Sequence, residues 1–87
     1  MIKGKTPTGF EFELDDDALD DYDLLETLQK ADEGDGSAAI KVVEMLLGEK
    51  QKEKLKDHVR SEKGKVSANA LFKEIGEIFR ACKEGKN

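Results

Sequence analysis

The chain opens with Ile2-Lys3-Gly4-Lys5-Thr6-Pro7-Thr8-Gly9-Phe10-Glu11-Phe12-Glu13-Leu14, a stretch with the marks of two short strands joined by a turn. Proline presets φ at the second position of a turn, and the glycine after it tolerates the exit geometry. Aromatic and leucine residues then alternate with glutamates, as in a strand with one apolar and one charged face. The stretch predicts a β-hairpin that needs a helix against its apolar face, because an isolated hairpin is marginal in water.

Three aspartates follow the hairpin. Short acidic side chains at a helix start cap free backbone N–H groups and complement the helix dipole, so we expect a helix to begin at Asp15-Asp16-Asp17. Apolar residues then recur at three- and four-residue spacing as far as Ala31, with carboxylates between them. This first helix is predicted to be amphipathic with an acidic outer face, and the glycines of Asp32-Glu33-Gly34-Asp35-Gly36 are predicted to end it.

The middle of the chain predicts two helices of different character. The segment that starts after Gly36 and runs to Gly48 is apolar on nearly all sides, so we expect it to be the central core helix. Residues 49–62 are dominated by charge and carry only Leu55 and Val59 as anchors at an i, i+4 spacing. They predict a surface helix, with His58 facing solvent.

The last helix is predicted to begin near Ala68, with Ser67 as its N-cap and Val66 packing on Leu71 as a hydrophobic staple. It carries a broad apolar stripe opposite a charged face, and we expect Glu74 on the charged face. The stripe consists of Leu71, Phe72, Ile75, Ile78, Phe79 and Cys82.

These patterns together predict one α+β domain that is mostly helical. It comprises a hairpin over residues 1–14, about four short helices over residues 15–83 and a frayed tail over residues 84–87. A length of 87 residues suits a single domain with a thin core, and the sequence contains no internal repeat or interdomain linker. The predicted core residues are Phe10, Phe12, Leu25, Leu28, Ile40, Val43, Leu47, Leu71 and Ile75.

The charge of the chain is unevenly distributed. Its net charge is −5, and residues 11–35 hold twelve acidic residues against Lys30 alone, whereas residues 41–65 hold eight basic and five acidic ones. An acidic half repels phosphates, and the mixed half is too balanced to form a basic groove. We therefore expect no direct binding to nucleic acid.

The sequence gives no sign of secretion or of membrane insertion. A single cysteine, Cys82, cannot form an internal disulfide, and the N-terminus turns polar at once, unlike a secretory signal. The longest unbroken apolar run, Met45-Leu46-Leu47, is far below the roughly 20 residues that cross a bilayer. We expect a protein of the cytoplasm.

No pattern of catalytic or ligand-binding residues emerges. The acidic run that starts at Asp15 is not an EF-hand, because Leu19 and Asp20 stand where that loop needs an oxygen ligand and a glycine. Cys82 lies within an apolar stripe, which favours a buried structural thiol over a nucleophile. Gly34-Asp35-Gly36 lacks the spacing of a phosphate-binding loop. We expect no enzyme activity, no cofactor and no metal, and a function in binding another macromolecule.

Two surfaces are candidates for that binding. The apolar stripe of the last helix is wide enough to serve the core at one edge and a partner helix or an identical subunit at the other, where Phe72 and Phe79 lie. The first helix offers an acidic face with Asp20, Asp21 and Asp23. We expect a protein partner to contact these five residues.

Several stretches in order resemble the small tail assembly chaperones of long-tailed phages and prophages of Gram-positive bacteria. The likeness spans nearly the whole chain, and its specificity comes from the order and spacing of the stretches. They are Gly9-Phe10-Glu11-Phe12-Glu13-Leu14, Asp17-Ala18-Leu19-Asp20-Asp21-Tyr22-Asp23-Leu24-Leu25-Glu26, Leu46-Leu47-Gly48, His58-Val59-Arg60, Gly64-Lys65-Val66-Ser67 and Glu77-Ile78-Phe79.

The resemblance implies a non-enzymatic protein, made in the host cell cytoplasm, that binds the tape measure protein until tail tube subunits polymerise around it. Such a protein is absent from the mature virion. Members of the family are often made in a short and a frameshifted long form, and the codons for Gly85-Lys86-Asn87 would reveal a slippery run of adenines.

Two rival functions remain open at this stage. A small acidic inhibitor of a host nuclease or defence protein would use the carboxylates of residues 15–26 to imitate nucleic acid. A structural adaptor would instead stay in the assembled particle, where mass spectrometry of purified virions would find it.

Overall fold

A computed structural model of the protein describes residues 1–84, with side chains described through residue 82. Over that part of the chain the elements are β1 (Ile2–Lys5), β2 (Glu11–Leu14), α1 (Tyr22–Asp32), α2 (Gly36–Val59) and α3 (Ala68–Glu84). The predicted α+β, mostly helical architecture is confirmed. The tail predicted at residues 84–87 lies, from residue 85 onward, outside the described residues.

The N-terminal hairpin forms as predicted. β1 and β2 pair antiparallel, with Gly4 opposite Phe12 and Lys3 opposite Glu13. The Gly9 amide donates to the Thr6 carbonyl and the Thr6 amide donates to the Phe10 carbonyl, each at 2.9 Å. Gly9 has φ +98°, so the turn ends in a glycine bulge of the kind that three-residue hairpin loops use.

Helix α1 begins at Tyr22, so the prediction that it starts at the three aspartates is wrong. The Asp21 carboxylate caps it by accepting from the amides of Asp23 and Leu24 at 3.0 and 3.3 Å. Before it, the amide of Ala18 bonds to the carbonyl of Asp15, so the segment runs through isolated turns. Many aspartates in one segment offer several possible caps, and tertiary packing selects among them.

Helix α2 joins the predicted core helix to the predicted surface helix, so the structure has three helices rather than about four over the described residues. The two segments still differ in direction, because Gly48 breaks the helical backbone between them with φ 76° and ψ 170°. The predicted boundary at this glycine is therefore correct. Gly48 thus divides α2 into two helical segments, 36–47 and 49–59, which correspond to the two helices that the sequence predicts.

Helix α3 begins at Ala68, as predicted. The Ser67 hydroxyl accepts from the Ala70 amide at 3.2 Å, which is the expected N-cap bond. A short loop precedes it, in which Arg60 and Val66 form an isolated antiparallel bridge. This loop returns the chain so that α3 packs on both α2 and the hairpin.

The core lies between the inner face of the hairpin and the three helices. Most predicted core residues are buried, but Leu25 and Ile40 are 48% and 60% exposed, so these two predictions are wrong. Leu28 is partly buried against the core. The buried cluster is Phe10, Phe12, Leu14, Leu24, Val42, Val43, Leu46, Leu47, Leu55, Leu71, Ile75, Ile78 and Cys82.

Candidate functional site

An apolar groove opens on the surface between α2 and α3. It encloses about 320 Å³, and we call it the α2–α3 groove. Val43 and Leu71, both part of the core, lie in it, while Ile40 and Phe72 remain 60% and 39% exposed. Its lining is Ile40, Val43, Glu44, Lys52, Lys56, Val66, Ala68, Leu71 and Phe72.

The exposure of Ile40 follows from the composition of α2. The first half of this helix is apolar on nearly every side, and a domain of this size cannot cover all of those sides. Val42, Val43, Leu46 and Leu47 are buried, and Ile40 is left on the outer face beside α3. The groove therefore exposes two apolar side chains, one from α2 and one from α3, that lie next to buried core residues.

The rim of the α2–α3 groove carries ion pairs rather than free charges. The Lys52 ammonium lies 3.3 Å from a Glu44 carboxylate oxygen and 3.1 Å from one of Glu49. Hydrogen bonding to Glu49, followed by Glu44, raises the pKa of Lys52 above its ordinary value, although partial desolvation opposes this. Lys56 pairs with Glu53 at 3.5 Å. The charges on this rim largely compensate one another.

The structure places the two predicted aromatic contacts differently. Phe72 is exposed and lines the α2–α3 groove. Phe79 is partly buried and packs against the core cluster. Of the two, Phe72 is the side chain that a partner can reach without any rearrangement.

The predicted acidic residues Asp20, Asp21 and Asp23 are all exposed at the start of α1. With Asp15 and Asp17 they surround a shallow depression of about 440 Å³ that also includes Tyr22, Met45 and Leu46. Asp21 additionally serves as the N-cap of α1. The acidic residues and the α2–α3 groove share no lining residue, so the structure does not bring the two predicted surfaces together.

A polar network that sequence reasoning missed joins the hairpin turn to both long helices. The prediction that Glu74 lies on the charged outer face of α3 is wrong, because this residue is only 4% exposed. Its carboxylate accepts from the hydroxyls of Thr6 at 2.7 Å and Thr8 at 2.9 Å. The Thr8 hydroxyl also lies 2.9 Å from Nε2 of His58, whose ring packs 5.5 Å from that of Phe10.

This network is structural in character. Thr6 is buried, its hydroxyl also accepts from the Phe10 amide at 3.1 Å, and no described side chain leaves a buried polar atom without a partner. The hydroxyls are thus committed to holding the turn against α2 and α3. The charge pattern of α3 gave no signal for this, since Glu74 is buried only because two threonines of another element face it.

The described residues contain no group of three or more histidine, cysteine, aspartate and glutamate side chains placed to hold a metal ion. None of the helices in the described part of the chain is both long enough and apolar enough to cross a membrane. Comparison of the chain with protein-family models, curated proteins and solved structures finds no match. Function is therefore inferred from the surfaces described above and from the order of motifs along the sequence.

Proposed function

We propose that this protein is a phage tail assembly chaperone that binds the tape measure protein during tail morphogenesis. The observation that carries the proposal is the apolar α2–α3 groove, which exposes both Ile40 and Phe72. The order of motifs that resembles these chaperones supplies the identity of the partner.

The groove has the chemistry that a helical client requires. A tape measure protein is a long helical protein with apolar seams, and an amphipathic helix binds by laying such a seam into a hydrophobic groove. Burying a fully exposed side chain of this size contributes about 1.5 to 3 kcal/mol. Ile40 and Phe72 are 60% and 39% exposed, so each contributes only part of that amount and binding through them is reversible. Reversibility suits a chaperone that must leave when tube subunits assemble.

The acidic start of α1 has a separate role in this proposal. Like charges on bound copies repel one another, and an acidic surface favours solubility. A complex that presents Asp20 and Asp23 to solvent would therefore resist aggregation while its apolar seams are covered. The tail tube protein and a second copy of the chain are further partners that the same groove can accommodate.

Co-expression with the tape measure protein encoded beside this gene tests the proposal. We expect the wild-type chain to raise the soluble fraction of the tape measure protein, and the Ile40→Ser/Phe72→Ser variant to lose most of that effect. The Tyr22→Ser/Leu25→Ser variant is the matched control, because it removes two exposed apolar side chains outside the groove. The proposal fails if wild-type protein leaves tape measure solubility unchanged.

The salt dependence of binding separates this function from that of an acidic inhibitor of a host nuclease or defence protein. Binding through an apolar groove changes little with ionic strength, whereas binding of a basic partner to carboxylates weakens steeply. The exposed cluster around Asp20, Asp21 and Asp23 is the surface such an inhibitor would use. Steep loss of binding with salt, abolished by Asp20→Asn/Asp23→Asn, would favour the inhibitor.

A further inference from the structure

The outer edge of β1 presents backbone groups that point away from β2. Opposed residues in an antiparallel pair alternate between those that bond to each other and those whose N–H and C=O face outward. The Thr6 amide bonds to the Phe10 carbonyl, which makes Gly4 and Phe12 the next bonded pair. Lys3 and Lys5, the residues between, therefore direct their N–H and C=O groups outward.

The opposite edge of the hairpin confirms this alternation independently. Glu13 is the partner of Lys3, so its backbone groups should also face outward. They do, because the Glu13 amide donates to Oε1 of Gln51 and the Glu13 carbonyl accepts from its Nε2, both at 2.7 Å. At the β1 edge no residue in the described part of the chain does the same for Lys3 or Lys5.

Open space lies beside this edge. One depression of about 420 Å³ borders Ile2, Lys3 and Gly4 and includes Ala81, while a second of about 290 Å³ borders Lys5 and Pro7 and also includes Ala81. The two therefore meet along α3 and follow the whole of β1. The two depressions share the small apolar side chain of Ala81, which leaves room for an apolar side chain of another strand. Beside Lys5 the wall also contains Glu77 and Arg80, which form an ion pair at 3.5 Å.

The charge of β1 specifies what such a strand should carry. Lys3 and Lys5 project from the exposed face, and β2 meets them with Glu13, 3.4 Å from the Lys3 ammonium, and Glu11. Opposite charges at neighbouring cross-strand positions stabilise a sheet, and like charges destabilise it. A second β1 would place lysine against lysine, so a second copy of this chain paired edge to edge is disfavoured.

We propose that the outer edge of β1 binds an extended segment of another protein by strand addition, and that this segment carries carboxylates at alternate positions with apolar residues between them. The added strand takes the same relation to β1 that β2 already has, with its carboxylates beside the two lysines. Its apolar residues face Ala81. This surface shares no residue with the α2–α3 groove, so the two partners can bind together.

The test uses the full isotope-labelled chain and a synthetic peptide of alternating glutamate and valine, followed by amide NMR shifts and hydrogen exchange. We expect saturable shifts and slowed exchange at Lys3 and Lys5, and about tenfold weaker binding for a matched lysine–valine peptide. The Lys3→Pro variant should lose the response, since it removes an outward N–H while leaving the bonds to β2 in place. Unchanged amide shifts of β2 show that the hairpin is intact.

A second variant decides the matter if proline disturbs the hairpin. Lys3→Glu/Lys5→Glu combined with Glu11→Lys/Glu13→Lys keeps the backbone amides and the opposite-charge pairs of the hairpin while it reverses the charge of the β1 edge. We expect this variant to bind the lysine–valine peptide more tightly than the glutamate–valine peptide. The proposal is overturned if the glutamate peptide gives no saturable shift at β1, if its shifts centre on Ile40 and Phe72, or if charge reversal leaves the peptide preference as it was.

Discussion

Gly48 is the residue on which the shape of α2 depends. Its φ of 76° and ψ of 170° lie in a region that is essentially restricted to glycine. Apart from its chain neighbours and the adjacent helix backbone, no atom lies within 4 Å of the position a Cβ would take, so the constraint comes from the backbone conformation and not from crowding by other side chains. The turn it makes lets the second half of α2 reach β2, where Leu55 is fully buried.

Replacing Gly48 with alanine should therefore destabilise the fold although space is available. We expect Gly48→Ala to lower the free energy of unfolding by about 1 to 3 kcal/mol, measured by urea denaturation. Gly76→Ala is the matched control, because Gly76 is helical, without positive φ, and also has open space around its Cβ position. That variant should be neutral or up to about 1 kcal/mol more stable. Equal effects of the two substitutions would contradict the backbone argument.

Asp35 gives the start of α2 a pH dependence. Its carboxylate accepts from the Ser37 hydroxyl at 2.7 Å and from the Ser37 and Ala38 amides, and these bonds, the Ser37 side chain first, hold its pKa below the ordinary value. A carboxyl group with a depressed folded-state pKa stabilises the fold above its unfolded pKa. That contribution is lost as the pH falls through the folded-state value.

We expect wild type to melt at a higher temperature than Asp35→Ala at neutral pH, and the difference to shrink as the pH falls below about 3.9, the ordinary aspartate pKa. Thermal melts across this range provide the measurement. Asp32→Ala is the control for loss of one negative charge, because Asp32 lies at the end of α1 and caps no helix start. A wild-type advantage that is constant with pH would rule out the carboxylate as its source.

Among the elements, β2 and α2 are joined by one side chain. Gln51 bonds to both backbone groups of Glu13, and its amide nitrogen also donates to the Leu47 carbonyl at 3.0 Å. The Gln51 side chain thus makes the two backbone hydrogen bonds to Glu13 that a neighbouring strand would make. It also bonds to the helix next to Gly48, where the helical backbone is interrupted. A two-stranded hairpin gains most from such support, because it is marginal alone.

Removing this amide should loosen the edge of β2 selectively. We expect Gln51→Ala to lower the free energy of unfolding by about 1 to 2 kcal/mol and to speed hydrogen exchange at the Glu13 amide. The control Gln29→Ala removes only an exposed bond to Glu33 at 3.3 Å and should change stability by less than about 0.5 kcal/mol. Unaltered exchange at Glu13 would show that another group protects it.

The elements that the sequence predicted well are those whose signals are local. The hairpin follows from Pro7, Gly9 and strict alternation, and the start of α3 follows from Ser67. The start of α1 at Asp21 did not follow, because several aspartates compete for one cap and only packing distinguishes them. The exposure of Ile40 and the burial of Glu74 depend on what other elements bring opposite them, which periodicity along one helix does not contain.

For the whole molecule, the uneven charge predicts a response to salt. Five aspartates, at positions 15, 17, 20, 21 and 23, border one depression, and none forms an ion pair with a described residue. Their mutual repulsion should be relieved by counterions, whose screening length falls to about 10 Å at 0.1 M salt.

We therefore expect about 0.1 M sodium chloride to raise the melting temperature at neutral pH. The corresponding increase in the free energy of unfolding should be about 0.3 to 1 kcal/mol. The Asp17→Asn/Asp20→Asn variant should be less sensitive to salt, and it leaves the Asp21 cap intact. Calorimetry over a salt series measures both slopes. If the two proteins respond equally, screening acts elsewhere in the molecule.

The candidate binding residues, like the secondary-structure elements, were predictable from the sequence only where the signal is local. Phe72 was foreseen because the stripe on its helix is wider than a thin core needs. The sequence predicts that Ile40, which lines the same groove, belongs to the core, because a helix that is apolar on nearly every side gives no indication of which side stays uncovered. Phe79 is partly buried against the core cluster, and this depends on how α3 packs on the other elements.

The bond from Gln51 to Glu13 also limits how large an assembly built on this hairpin can grow. Sheets propagate into fibres when both margins accept another strand, and here one margin is already occupied by a side chain of the same molecule. Growth is then possible in one direction only. Each copy of this chain therefore offers one open margin, so copies can join at most in pairs through their hairpins and cannot build a continuous sheet.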